Sequence, residues 1–178
     1  WKQEAAARGL SNLPSTAECL PTYISSKNID LVTRHGIFTE PEFRARHAIY
    51  LEAYNKIVNI EARTMVDMAV HQILPAAMRY TDDLCQSLYH KKAMNASCRA
   101  ESDLVRLLSE NTDALYDDIN RLKEALATVP ADKQEASFHY HDRVVPAMET
   151  LRIHADILEA NTAKSYWPYP TYSDLLFY

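Results

Sequence analysis

Glycine is nearly absent from this sequence: only Gly9 and Gly36 occur among its 178 residues. Phosphate-binding loops, nucleotide-binding turns and tight hairpins need glycine wherever the backbone approaches a ligand closely or adopts a positive φ. The sequence therefore argues against a nucleotide site built within this chain alone.

Cysteines, long apolar runs and clustered positive charge are also scarce. Cys19, Cys85 and Cys98 form no CxxC pair, and their odd number fits free thiols in a reducing compartment. No apolar run approaches the ~18 residues of a membrane span, and no signal-peptide pattern opens the chain. The formal net charge is -5, with basic residues scattered among acidic ones. We predict a cytoplasmic protein with protein or small-molecule partners, no nucleic acid and no membrane.

Helix signals dominate what is present. "STAE" at residues 15–18 and "TEPE" at residues 39–42 fit the capping box that begins a helix. Gly9 is placed to end a helix in "WKQEAAARG", and Gly36 to end a second one. We expect Pro21 to interrupt the helix that the first capping box begins.

One long helix is predicted after Thr39, because apolar residues recur there at steps of three and four. The predicted apolar face comprises Phe43, Ile49, Tyr50, Ala53, Tyr54, Ile57, Ile60, Thr64, Met65, Met68 and Ile73. Pro75 lacks a backbone donor, so we expect it to kink or interrupt this helix, which then continues to about Met94.

A further long helix is predicted from about Ser97 to Val129. Its heptad-like residues are Leu104, Leu108, Leu115, Ile119, Leu122, Leu126 and Val129. Asn111 takes the missing seam position, where a buried amide would fix register at some cost in stability. Pro130 ends this helix, and Asp132 with Glu135 can cap the next one.

The fold class follows from these patterns. No stretch alternates like a strand, so we predict an all-α fold: an elongated bundle of long antiparallel helices with proline kinks and an extended aromatic C-terminal tail. A single domain is expected over residues 1–178. It comprises an entry segment with short helices (1–38), a long-helix bundle (39–164) and a tail (165–178) packed on the bundle. Pro168 and Pro170 exclude regular helix there, and Trp167 is the expected anchor.

Seven histidines raise the question of metal or acid–base chemistry. His139 and His141 lie two apart, which puts them on different faces of a helix. No glutamate has a histidine three residues later, so a di-iron bundle is excluded. Asp67 and His71 lie four apart and could form a carboxylate-oriented base, although an ordinary intrahelical ion pair is the preferred interpretation.

The sequence gives little support to two further chemistries, phosphotransfer by a histidine and nucleophilic attack by a cysteine. A phosphotransfer bundle would expose one reactive histidine, for which His71, His90 or His154 could be nominated. None of the cysteines has a neighbouring group that argues for a nucleophile. The sequence alone therefore assigns no catalytic, cofactor-binding or metal-binding residue.

Two stretches resemble a known family. "RARHAIYLEAYNKIVNIEARTMVDMAVHQILPAAMRY" (44–80) and "YWPYPTYSDLLF" (166–177) resemble the C-terminal region of the type III glutamine synthetases, the large bacterial form. "RGLSNLPSTAECLPTYIS" (8–25) and "HGIFTEPEF" (35–43) resemble the segment that links this region to the catalytic part. The resemblance thus extends over essentially the whole chain.

The resemblance implies a parent enzyme that makes glutamine from glutamate, ammonia and ATP through a γ-glutamyl phosphate. It also implies Mg²⁺ (or Mn²⁺) and a large ring-shaped homo-oligomer. The family's catalytic residues belong to the preceding catalytic domain, so none is carried over to this chain. No cofactor is expected in the fragment itself; ATP and the metal are implied for the parent.

Three functions follow as hypotheses. The first is a non-catalytic domain, inactive alone, that stabilises or positions the catalytic domain of the same polypeptide and can aid oligomer assembly. The second is an independent helical protein-interaction or phosphotransfer module. The third is a helical metalloenzyme. The chain opens on Trp1 without an initiator Met, so we expect it to be a piece of a longer polypeptide.

Overall fold

The fold is known from a computed structural model that describes residues 1–170 and 172–176. Its helices are α1 (Lys2–Ala7), α2 (Thr16–Tyr23), α3 (Ser26–Arg34), α4 (Glu40–Met68), α5 (Leu74–Ala93), α6 (Arg99–Ala127), α7 (Lys133–His139), α8 (Val145–Asn161) and α9 (Tyr172–Leu176). These described residues contain no strand. The predicted all-α class is confirmed. None of the described helices is long and apolar enough to cross a membrane.

The predicted helix starts are present as hydrogen-bonded caps. The Ser15 hydroxyl accepts from the Glu18 N–H at 3.2 Å, and the Glu18 carboxylate accepts from the Ser15 N–H at 3.2 Å. The Thr39 N–H donates to the Glu42 carboxylate at 2.9 Å in the same way. Asp132 accepts from two backbone N–H groups of α7, each at 2.9 Å. Side chains thus satisfy donors that a helix start leaves unpaired.

Both glycines end helices. Gly9 (φ +70°) follows α1 and Gly36 (φ +59°) follows α3. At the second position the Ile37 N–H donates back to the Val32 carbonyl at 2.9 Å, the six-to-one bond of a Schellman motif. Asn95 (φ 55°) has the same place after α5. The positive φ needed at helix ends accounts for both glycines.

The long helices continue through their prolines. A π-helical turn at Ala69–Ile73 connects α4 directly to α5, which contains Pro75, and a second at Tyr140–Val144 connects α7 to α8, which contains Pro146. The helix is therefore not broken at Pro75, where we expected a kink or an interruption; a π turn replaces the α-helical hydrogen bonds just before the proline. Each π turn changes the hydrogen-bond register just where the proline has no N–H to donate. Pro21 lies inside α2, which continues to Tyr23, so the interruption expected at Pro21 is wrong. That Pro75 and Pro146 bend their helices stays a prediction.

The chain divides into two compact units. Unit 1 comprises residues 1–60 and 128–145, and unit 2 comprises residues 61–127 and 146–178. The predicted division into residues 1–38, 39–164 and 165–178 stays a prediction.

Unit 1 has an aromatic and aliphatic core. Tyr23 of α2 stacks on Phe43 of α4 with ring centroids 4.3 Å apart, and Phe38 stacks on the same ring at 6.0 Å. Helices α2 and α7 contact each other. The buried apolar residues are Ala5, Ala17, Leu20, Phe43, Leu51, Val58, Ala136, Tyr140 and Val144.

Unit 2 contains an antiparallel hairpin of α5 and α6. Lys91 near the end of α5 pairs with Glu101 near the start of α6, across the connecting loop. Because the carboxylate accepts from this ammonium, the pKa of Glu101 is lowered. Among the side chains of this unit that are less than 2% exposed, the largest are Leu108, Leu115, Ile119 and Leu122 of α6 with Leu151 and Leu158 of α8.

The buried seam of α6 differs from the prediction at one position. Thr112 is buried, whereas Asn111 is half-buried and its amide donates to the Leu107 carbonyl of its own helix at 2.8 Å. Steps of three and four are equally compatible with a seam, so the spacing could not choose between these neighbours. The expectation that Asn111 fills the seam is therefore wrong.

The apolar face predicted for α4 is also wrong, because it mixed two faces of the helix. The buried side chains of α4 include Phe43, Leu51 and Val58, whereas Ile49 and Ile57 are exposed. At ~100° per residue, Leu51 and Val58 lie on nearly the opposite side of the helix from Ile49. Because apolar residues lie on both sides of α4, spacings of three and four residues can be found between residues that belong to different faces.

The C-terminal segment is irregular over residues 162–170, and the short helix α9 follows. It is therefore not extended throughout. Trp167, the expected anchor, is buried at 9% exposure. Thr171, Phe177 and Tyr178 lie outside the described residues, so packing of the whole tail on the bundle stays a prediction.

Candidate functional surfaces

The Asp67–His71 pair lines an open groove in unit 2. The histidine Nε2 lies 3.7 Å from the Asp67 Oδ1, and both side chains are about 70% exposed. Arg63 and Lys123 contribute cationic groups to the same groove, whose volume is about 420 Å³. An ion pair this exposed contributes little to stability. At 3.7 Å the two atoms are too far apart for a hydrogen bond, so the carboxylate does not orient the ring as a base in this structure, and the ion pair stays a prediction.

A more buried histidine–carboxylate contact joins α8 to α6. Asp118 is 1% exposed. Its Oδ2 lies 2.7 Å from the Nδ1 of His154, and its Oδ1 accepts from Arg121 at 2.8 Å. Because both carboxylate oxygens have partners, the buried charge is compensated. This contact joins two helices of unit 2. The side chains of Arg121 and His154 are 68% and 27% exposed, whereas the carboxylate between them is buried.

The other nominated side chains are dispersed. His139 ends α7, and His141 lies in the second π turn, where its Nδ1 is 2.6 Å from the Asp142 carboxylate. His90 lies near the end of α5 beside the exposed ring of Tyr89. Within residues 1–170 and 172–176, no group of three or more His, Cys, Asp or Glu residues could hold a metal ion. The cysteines are free, with Cys19 and Cys85 exposed and Cys98 half-buried.

The start of the aromatic tail contacts α5 in unit 2. The Tyr166 ring lies 5.1 Å from that of Tyr80, and its hydroxyl donates to the Asp83 carboxylate. This hydrogen bond to an anion raises the pKa of Tyr166. Burial raises the pKa of Tyr169, and the negative charge of Asp67 adds to the effect. The tail therefore has specific side-chain contacts in unit 2.

A charged cluster joins α4 to α7 in unit 1. The Glu52 carboxylate lies 2.6 Å from the Lys56 ammonium and accepts from Lys133 at 2.9 Å. The two lysine hydrogen bonds lower the pKa of Glu52 to about 2. Asn55 reinforces this junction, because its amide donates to the Lys133 carbonyl at 2.9 Å.

Unit 1 also exposes an apolar stripe on α4. We define the Ile stripe as Ile49, Ala53, Ile57 and Ile60. The three isoleucines are 64%, 55% and 62% exposed, and Ala53 is exposed as well. The sequence pattern had placed these residues on one apolar face together with the buried Phe43. A signal was available: Leu51 and Val58 form a second apolar row on the opposite side of the same helix.

These surfaces define a class of protein: an all-helical domain whose histidines, cysteines and carboxylates are spread over helix faces. Comparison with known proteins specifies the family. The family model described as "Glutamine synthetase C-terminal domain" matches residues 1–92. The chain therefore belongs to the glutamine synthetase C-terminal domain family, as the resemblance implied.

Curated relatives match nearly the whole chain. A "Glutamine synthetase" of Butyrivibrio fibrisolvens is 35% identical over 99% of this chain and 26% of the relative. A "Glutamine synthetase" of Bacteroides fragilis (strain YCH46) and a "Type-3 glutamine synthetase" of Dictyostelium discoideum are each 32% identical over 99% of this chain and 25% of the relative. The chain thus spans about a quarter of the length of these relatives.

Proposed function

We propose that this chain is the non-catalytic C-terminal domain of a type III glutamine synthetase. In this proposal it stabilises or positions the catalytic domain of the same polypeptide and aids assembly of a homo-oligomeric ring. The parent enzyme ligates ammonia to glutamate with ATP, using Mg²⁺ or Mn²⁺, in the cytoplasm. One observation carries the proposal. Almost the whole chain aligns with proteins named glutamine synthetase, and the alignment covers only about a quarter of the length of each of them.

The local chemistry supports a role outside the phosphoryl-transfer step. Transfer of a phosphoryl group needs backbone N–H groups, cations and metal-binding carboxylates gathered at one place. Both glycines of this chain end helices instead. The most buried carboxylate, that of Asp118, is paired with His154 and Arg121 between two helices. These groups stabilise helix packing.

The proposal is tested by comparing the full-length polypeptide with a version that ends before Trp1. Glutamine formation, particle mass in sedimentation and melting temperature are measured for both. We expect the shortened protein to lose activity, assembly or thermal stability, and the 178-residue chain added separately to restore part of the loss. If all three quantities are unchanged in the shortened protein, the domain neither stabilises nor positions the catalytic part, and the proposal is overturned.

A further inference from the structure

The Ile stripe lies on the side of α4 that faces away from the core of unit 1. At ~100° per residue, Ile49, Ala53, Ile57 and Ile60 fall within about 80° of arc on α4. The buried residues Leu51 and Val58 lie roughly opposite. Helix α4 is therefore apolar on two sides, whereas a surface helix with a single buried face is polar on the other.

Polar groups border the stripe along one edge. The Lys56 ammonium, on the same side of α4, lies 2.6 Å from the Glu52 carboxylate. Tyr50, 46% exposed, extends the apolar surface at the other edge. An apolar patch with a polar border is the usual composition of a protein–protein contact.

The area of the stripe favours a partner within the same polypeptide. From the exposed fractions of its four residues, the stripe presents on the order of 400 Å² of side chain. A stable interface between separate proteins buries about 800 Å² on each partner, roughly twice that area. Contacts between domains of one polypeptide bury about 600 to 1,500 Å² in total, or ~300 to 750 Å² on each side. The stripe lies within the second range.

The position of the chain's first residue supports the same partner. Trp1 belongs to unit 1, as does the whole Ile stripe. The relatives are about four times longer than this chain, and the matching family model is a C-terminal domain, so most of their remaining sequence precedes the aligned part. Sequence joined at Trp1 is tethered to unit 1 and held there at high effective concentration. A contact of modest area is then sufficient.

We propose that the Ile stripe is covered by the part of the same polypeptide that precedes Trp1 in the full-length protein. The inference rests on the proposed function and names the surface through which the domain holds that part. The occupant presents an apolar surface to α4 and polar groups to the Glu52–Lys56 pair at its border.

The test is thiol accessibility in the full-length protein. Ile57→Cys places a thiol in the stripe, and Ile153→Cys is the matched control on α8, since the two isoleucines are 55% and 58% exposed. The rate of alkylation is measured for each thiol by peptide mass spectrometry, with Cys19 as an exposed internal reference. We expect position 57 to react at least tenfold more slowly in the full-length protein than in the 178-residue chain. Position 153 should change less than twofold.

Further measurements decide the outcome. Equal rates at position 57 in the two proteins, or equal slowing at positions 57 and 153, would overturn the inference. A photo-crosslinking residue at position 57 should give peptides from the sequence before Trp1 within one polypeptide; a crosslinked dimer through residues 1–178 would assign the stripe to a second copy and overturn it. Ile60→Cys repeats the assay if the first variant fails to fold. If removal of the domain still impairs the enzyme while position 57 reacts freely, only this inference fails.

Discussion

Replacing Trp167 with alanine tests whether the C-terminal aromatic segment is part of the fold of unit 2. The indole is 9% exposed, so almost all of its surface is removed from water. A tryptophan buries ~150 to 250 Å², which at ~25 cal/mol per Å² corresponds to roughly 4 to 6 kcal/mol. Because the unfolded chain already buries part of this area, we expect a loss of about 3 to 4 kcal/mol.

The loss should be visible in thermal and urea unfolding followed by far-UV circular dichroism. For a chain of this size, each kcal/mol lowers the melting temperature by about 2 to 4 °C, so the Trp167→Ala variant should melt roughly 6 to 16 °C below the parent. Tyr89→Ala is the control: this ring is 73% exposed in the same unit, and its removal should cost less than about 0.5 kcal/mol. Equal stability of the Trp167 variant and the parent would refute the packing of the segment.

Three further variants test individual contacts. The Thr112 hydroxyl is buried without a hydrogen-bond partner among the described residues. Thr112→Val should therefore raise the free energy of urea unfolding by about 1 kcal/mol. A decrease would contradict this and reveal a partner for the hydroxyl. Asp118→Ala should lower the free energy of unfolding by about 2 to 3 kcal/mol, because its charged hydrogen bonds are lost. Asp117→Ala, at the exposed neighbouring position, should change it very little. Equal effects of the two variants would contradict the buried contact. The pKa of Glu52 is about 2 in the fold against an ordinary 4.5, so its stabilising effect is complete above pH 4.5 and is lost as the pH falls towards 2. Glu52→Gln should flatten the stability profile in that window, and an unchanged slope would contradict the lysine contacts.

Local signals made much of the fold predictable. The hydroxyl and carboxylate three residues apart at Ser15 and Glu18 are sufficient to specify a helix start, because both donors and acceptors lie within one turn. Gly9 and Gly36 could be assigned to helix ends for the same reason: the positive φ is a property of a single residue. The long helices α4 and α6 could be predicted as well, because apolar spacings of three and four residues are a property of the local sequence.

The rest depends on contacts between residues distant in sequence. Asp118 and His154 are 36 positions apart and on different helices, so no spacing rule could pair them. Ile57 is exposed and its neighbour Val58 is buried, because only one of the two apolar faces of α4 packs in the core of unit 1. The π turns before Pro75 and Pro146 were missed as well, since a proline predicts a disturbed helix but not the form of the disturbance.

The most direct test of the central claim is glutamine formation by the isolated 178-residue chain, with glutamate, ammonia, ATP and Mg²⁺, measured beside the full-length polypeptide under the same conditions. We expect turnover by the full-length polypeptide and none above a protein-free blank by the isolated chain. Glutamine formation that remains with the isolated chain through repeated purification would contradict its assignment as a non-catalytic domain.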